Sequence, residues 1–208
     1  MYIDKFHALK IGNLQINLPI IQGGMGIGIS LSGLACAVAN AGAVGVIATA
    51  GIGHTEADWD TNPKAADKRA LKKEIQKAKA GTDGIIGVNI MVALSDFDGL
   101  VQCAVDEGAD IIFMGAGLPI SLPKTLPLDQ LSGLATRFVP IVSSARAAEI
   151  VFKAWQKRYS HVPDAVVVEG PLAGGHLGFK KDQIDNPDYA LENILPEVIA
   201  VVEPYEQR

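Results

Sequence analysis

A chain of 208 residues with 49% hydrophobic and 20% charged side chains can bury a sizeable core and is too apolar for a disordered polymer. Its 23 acidic residues against 18 basic ones leave a net charge of -5, which argues against a general affinity for nucleic acid. No stretch approaches the roughly 20 apolar residues of a membrane span. The N-terminus, MYIDKFHALKIGNLQIN, lacks the apolar centre of a secretion signal, so a cytoplasmic protein without membrane anchor is expected.

In chain order, LKIGNLQIN (9–17) reads as a small hairpin turning at Gly12-Asn13, a form that plugs the bottom of a barrel. Short continuous apolar runs follow: LPIIQ (18–22), VGVIA (44–48), IIGVNI (85–90), IIFMG (111–115), VPIVS (139–143) and AVVVE (165–169). Continuous rather than alternating apolar runs mark parallel strands covered on both faces. Helical patterns lie between them at about 31–41, 64–80, 96–107, 145–158 and 188–202, with a weaker one near 128–136. Six strand-then-helix units imply right-handed crossovers, hence a doubly wound sheet or a closed (β/α)8 barrel. The unusual residues cluster just after the strands, in QGGMGIG, TAGIGH, NIMV, GAGLP, SS and EGPLAGGHLG. Distinctive loops after six successive strands favour a barrel of the (β/α)8 TIM type over the single crevice of an open sheet.

The segment GIGHTEADWDTNP (51–63) is long enough for a lid. The helix after it carries Lys64, Lys68, Arg69, Lys72, Lys73, Lys77 and Lys79 around an apolar stripe of Leu71, Ile75 and Ala78, which suits a solvated outer helix. Cys36 and Cys103 show no metal-ligand or CxxC spacing and read as small, packed side chains of helices.

Chemistry points to the strand ends. In QGGMGIGIS the glycines at 24, 26 and 28 approach a dinucleotide fingerprint, but G-x-G-x-x-G fails at Ile29. The alternative is that these glycines let a flat ring lie against the backbone, with Met25 either a soft contact to it or a core residue. Asn89 interrupts an apolar strand and needs partners for its amide, from a ligand or from neighbouring backbone. Glu169 poses the same problem with a carboxylate. His176 follows Gly174 and Gly175 in the loop after Glu169, and a histidine there can remove a proton beside an electron-withdrawing group. Ser143-Ser144 lack an adjacent base, and His7, His54, His161 and His176 lack zinc-ligand spacing, so no metal is expected.

PIIQGGMG (19–26), GVNIMV (87–92) and EGPLAGGHLG (169–178) resemble the FMN-dependent nitronate monooxygenases, formerly 2-nitropropane dioxygenases, relatives of flavin-dependent enoyl-ACP reductases. The A-G-G-H-x-G element is the most specific of the three, and the resemblance runs in order along nearly the whole chain. It implies a (β/α)8 barrel with FMN across its C-terminal mouth. Gly24, Met25, Gly174 and Gly175 would lie against the flavin. Asn89 and Glu169 would make polar contacts with it or its surroundings, and His176 would be the base acting on a nitroalkane or nitronate, with oxygen as co-substrate.

The family continues with two more strands whose A-A-G-G-I-like and G-T-R-F-like loops bind the FMN phosphate, whereas this chain ends at VVEPYEQR. A single partial barrel domain over 1–208 is therefore expected, its last two βα units absent. The expectation is an N-terminal fragment of the full enzyme, with a homo-oligomer or a complementing C-terminal segment as candidate partner. Two further readings stay open: an enoyl-ACP reductase using NAD(P)H, and a non-catalytic barrel fragment that needs a partner.

Overall fold

The computed structural model describes residues 7–129 and 131–206. Residues 1–6, part of the segment read for a secretion signal, and Gln130, inside the weak helical pattern at 128–136, lie outside them. The chain divides into two compact units, Met1–Phe113 with Ala135–Arg137, and Met114–Leu134 with Phe138–Arg208.

The first unit begins with the expected hairpin, β1 (Leu9–Ile11) antiparallel to β2 (Leu14–Ile16), with Leu9 opposite Ile16 and Ile11 opposite Leu14. Ile11 and Ile16 are buried, and Arg137 Nε donates to Asn13 Oδ1 at 3.1 Å to hold the turn. Residues 18–22 form one parallel bridge, Ile21 to Val44, rather than the expected strand. Val44 N–H donates to Ile20 O and Gln22 N–H to Val44 O, both at 3.0 Å, and beyond that point the Gln22 side chain replaces backbone: Nε2 donates to Val46 O at 2.9 Å, and Val46 N–H donates to Oε1 at 3.2 Å.

Helix α1 (Ser32–Asn40) leads to β3 (Gly45–Ala48), which is buried along its length and pairs in parallel with β4 (Ile86–Met91), Gly45 opposite Ile86 and Ala48 opposite Asn89. Burial on both faces is the cause of the uninterrupted apolar run. Between them α2 (Pro63–Gly81), begun by proline where no N–H is needed, buries Leu71, Ile75 and Ala78. Its outer lysines pair with acids of other segments: Lys72 with Glu107 at 2.6 Å, Lys79 with Asp110 at 2.6 Å and Lys68 with Asp96 at 3.5 Å. The pairs of Lys68 and Lys72, whose side chains are largely open to water, contribute little singly. Helix α3 (Phe97–Asp106) follows and packs on α2. Strand β5 (Ile111–Gly115) contains the division between the units.

In the second unit, β6 (Arg137–Val142) pairs in parallel with a short β7 (Val167–Val168), Val142 opposite Val168. The expected helix at 128–136 is a single 3-10 turn, Leu131–Gly133, before β6 begins. Helix α4 (Ala145–Tyr159) is capped by Ser144, whose hydroxyl accepts from Ala147 N at 3.2 Å. Trp155 of α4 is fully buried and donates from Nε1 to Pro119 O at 2.7 Å, fastening the long connection after β5. Helix α5 (Leu191–Glu206) packs on α4, and Ile194 and Val198 meet Val142 and Ala148 in the core of this unit.

Candidate functional site

Each unit presents one loop that collects the unusual residues. In the first, residues 22–30 wrap around Ser30, which is fully buried. Its Oγ accepts from Met25 N at 3.0 Å and from Gln22 Nε2 at 3.1 Å, and its N–H donates to Met25 O at 2.9 Å. Ile27 N–H donates to Ala50 O at 2.8 Å and holds Ile27 at φ +52°, a costly conformation for a β-branched residue. Gly28, at φ +73°, carries the imidazole of His54 against it, and a side chain at 28 would strike that ring at 2.8 Å. His54 Nδ1 lies 3.0 Å from Gly51 O of its own loop, and the contacts of Gly28 with His54 and of Ile27 with Ala50 join the two loops.

The outcome is a rigid turn that leaves Gly23, Gly24 and Met25 exposed. Met25 is 48% exposed, which decides its open reading in favour of a surface contact rather than the core. Gly24 and Asn89 are brought together: a Cβ at 24 would fall 2.6 Å from Asn89 Cβ. The Asn89 carbonyl accepts from Thr49 N at 3.0 Å and Thr49 Oγ1 at 3.1 Å, fixing the strand, while its half-buried amide makes no hydrogen bond among the described residues. Its donors and acceptor are free for a ligand.

The start of α1, just after the glycine loop, is already engaged by Glu74. From α2 its Oε2 accepts from Ser32 N at 2.9 Å and Ser32 Oγ at 2.5 Å, so a carboxylate already occupies the anion-binding end of that helix. Burial works to raise the Glu74 pKa, but the bonds from Lys77 and Ser32 outweigh it and hold the carboxyl below its ordinary 4.5. A lowered folded-state pKa contributes stability above the unfolded value that is lost as pH falls through the folded one. Glu74→Ala is therefore expected to cost about 1–2 kcal/mol at pH 7, with the difference from the parent shrinking below pH 4.5. Urea melts of both proteins across that range check it.

In the second unit, Glu169 follows β7 and is half-buried. Its N–H donates to Val142 O at 2.8 Å, and its Oε2 accepts from Gly178 N at 2.9 Å. Ser143 Oγ donates to Gly178 O at 3.3 Å. Gly174, Gly175 and His176 are exposed between these ties, and no atom lies within 4 Å of a Cβ built at either glycine. Ser144 serves as a helix cap and Ser143 as a loop brace.

The segment read as a lid is fastened to α2. Asp67 Oδ1 accepts from Gly53 N at 2.8 Å and Trp59 Nε1 at 3.3 Å, Arg69 bonds Asp58, and Lys73 pairs with Glu56 at 2.8 Å. Both cysteines are free and half-buried. Burial pushes the Cys103 thiol up to about 11, so it stays protonated at neutral pH. Sequence reasoning missed the roles of Gln22, Ser30, His54 and Ser143. A usable signal existed for the first two, since a polar residue ending an apolar run or starting a helical one needs a partner.

The sequence profile of nitronate monooxygenase matches residues 7–203. The chain is 28% identical to FabK from Thermotoga maritima, with a TM-score of 0.65 over 88% of this chain and 48% of that one. A nitroalkane oxidase from Streptomyces ansochromogenes shares the fold at 20% identity, TM-score 0.63, over 89% of this chain and 56% of that one. Among curated proteins it is 29% identical to (3aS,4S,5R,7aS)-5-hydroxy-7a-methyl-1-oxo-octahydro-1H-indene-4-carboxyl-CoA dehydrogenase of Mycobacterium tuberculosis, over 79% of this chain and 39% of that protein. The chain thus spans about half the length of these solved structures and less of the curated relatives. Its α/β fold with parallel strands is of the TIM-barrel type, and the chain belongs to the nitronate monooxygenase family.

Proposed function

We propose that the chain serves the FMN-dependent oxidative denitrification of nitronates and nitroalkanes, with His176 as the base. The observation that carries this reading is the loop of His176: in a chain of the nitronate monooxygenase family, an exposed imidazole follows two exposed glycines with open space around both.

The residues fit a flavin on each unit taken by itself. In the first, the flat backbone at Gly24, the exposed thioether of Met25 and the unengaged amide of Asn89 suit a planar ring bearing carbonyl and N–H groups. In the second, Gly174 and Gly175 admit close approach, and Glu169 supports their loop. Bound FMN supplies the electron acceptor and the route of electrons to oxygen. His176 takes the α-proton of a neutral nitroalkane, giving the nitronate, and holds it as the imidazolium beside the new anion.

A second reading has its own support. FabK is a flavin enoyl-ACP reductase, and the curated relatives of M. tuberculosis and Rhodococcus jostii are named as dehydrogenases of a CoA thioester. Reduction of an enoyl thioester with NAD(P)H would use the same loops.

The test is to add FMN to the purified chain, desalt it, and assay two reactions. Retained flavin and nitrite released from a short nitroalkane in air is the expected result. NAD(P)H oxidation that requires an enoyl thioester, without nitrite, selects the second reading. A colourless protein that takes up no FMN shows that these 208 residues perform neither reaction alone, and with a defined oligomeric state it favours a non-catalytic subunit.

A further inference from the structure

The loop that carries His176 is open where it is functional and clamped where it ends. From Leu172 to His176 every residue is exposed, and the local backbone tie is Ala173 N to Gly170 O at 3.1 Å. Both peptide groups of Gly178 are held instead. Its N–H donates to Glu169 Oε2 at 2.9 Å, and its carbonyl accepts from Ser143 Oγ at 3.3 Å. The two clamping residues follow β6 and β7, strands in register at Val142 and Val168. A side chain at 178 would overlap Ser143 Oγ and come 3.3 Å from Glu169 Oε2, so glycine is required there by the closeness of the clamp. Just beyond, Phe179 packs against the core of the unit and meets Tyr189 edge to face at 6.4 Å. His176 is two residues from this anchored point.

We infer that Ser143 and Glu169 are positioning residues for His176, acting through Gly178. The inference rests on the reading of His176 as the base, and it gives Glu169 the task of an acceptor rather than of a charge. A carboxamide keeps an acceptor oxygen at the same place, so Glu169→Gln preserves the clamp while Glu169→Ala opens it. A role that needs negative charge would be lost equally in both.

The experiment uses the full chain, uniformly labelled, in four forms: parent, Glu169→Ala, Glu169→Gln and Ser143→Ala. Amide hydrogen exchange at Gly178 and the ring resonances of His176 are followed by NMR. Expected is exchange at Gly178 about tenfold faster in Glu169→Ala, within about threefold of the parent in Glu169→Gln, and about threefold to tenfold faster in Ser143→Ala. The His176 ring signals should move towards random-coil positions in the two alanine variants and keep their parental positions in the glutamine variant. Glutamine behaving as alanine, or alanine leaving both signals unchanged, overturns the inference. If Glu169→Ala does not fold, Ser143→Ala decides in the same way. None of these signals depends on turnover, so an inactive parent would remove the base assignment while leaving the clamp result intact.

Discussion

His176→Ala is expected to lower turnover of a neutral nitroalkane at least a hundredfold while leaving FMN affinity within about tenfold of the parent. General-base catalysis contributes about 10²–10⁴ in rate, and the loss falls on the barrier rather than on cofactor contacts. The alternative role for the same side chain, orienting the anion, is separable. A nitronate prepared beforehand has already lost its α-proton, so a pure base becomes dispensable and the variant should turn it over at nearly the parental rate. Steady-state nitrite release from the two forms of one substrate makes the comparison. Equal loss on both forms reassigns His176 to orientation, and no loss on either rejects it. The imidazole is exposed and makes no hydrogen bond among the described residues, so its removal should leave the melting temperature within a few degrees.

Gly45→Ala should be the most destabilising single methyl in the first unit. At the start of β3, Gly45 faces the backbone of α1, and a Cβ there would overlap the carbonyl of Ala35. The obstacle is helix backbone, not the end of a flexible side chain, so relief requires α1 to move off β3. Ala35 is completely buried, and Val44, Val46 and Ile47 beside Gly45 are 1% exposed or less, so a shift of α1 opens voids in the core. A loss of about 3 kcal/mol is expected, which for a chain of this size lowers the melting temperature by about 6–12 °C. Gly33→Ala in the same helix is the control. Gly33 is exposed with nothing near its Cβ position, and alanine there should stabilise by about 0.5–1 kcal/mol. Thermal melts by circular dichroism of the two variants should therefore move in opposite directions. A Gly45→Ala melt equal to that of the parent would show that α1 does not press on β3.

The alternation of elements was legible because it follows from local burial. A strand covered on both faces needs apolar residues without interruption, and β3, β4 and β5 follow the runs at 44–48, 85–90 and 111–115 to within a residue. Helices α1 to α4 fall within about two residues of their expected limits for the same reason, since a one-sided stripe has a period. The run at 18–22 pairs in parallel at Ile21 but stays short of a full strand, because the Gln22 side chain rather than backbone meets Val46, an option that hydrophobic pattern cannot display. The pattern at 128–136 was weak, and there a single 3-10 turn, Leu131–Gly133, precedes the entry of Arg137 into β6.

The candidate site was legible as residue types and loops. Glycines after a strand, an asparagine within an apolar run and a histidine behind two glycines each pose a local problem that one sequence displays. What they touch was not legible. Asn89 rests against Gly24, Glu74 caps α1 from 42 residues away, and Glu169 closes its own loop through Gly178. The sequence alone determined the order of strands and helices and the loops that bear polar groups, because each depends on how a short segment meets water. Only the tertiary structure decided which polar groups are already engaged and which stay free. A hydrogen bond depends on the distance between two atoms, and for residues far apart in the chain the packing of whole elements sets that distance.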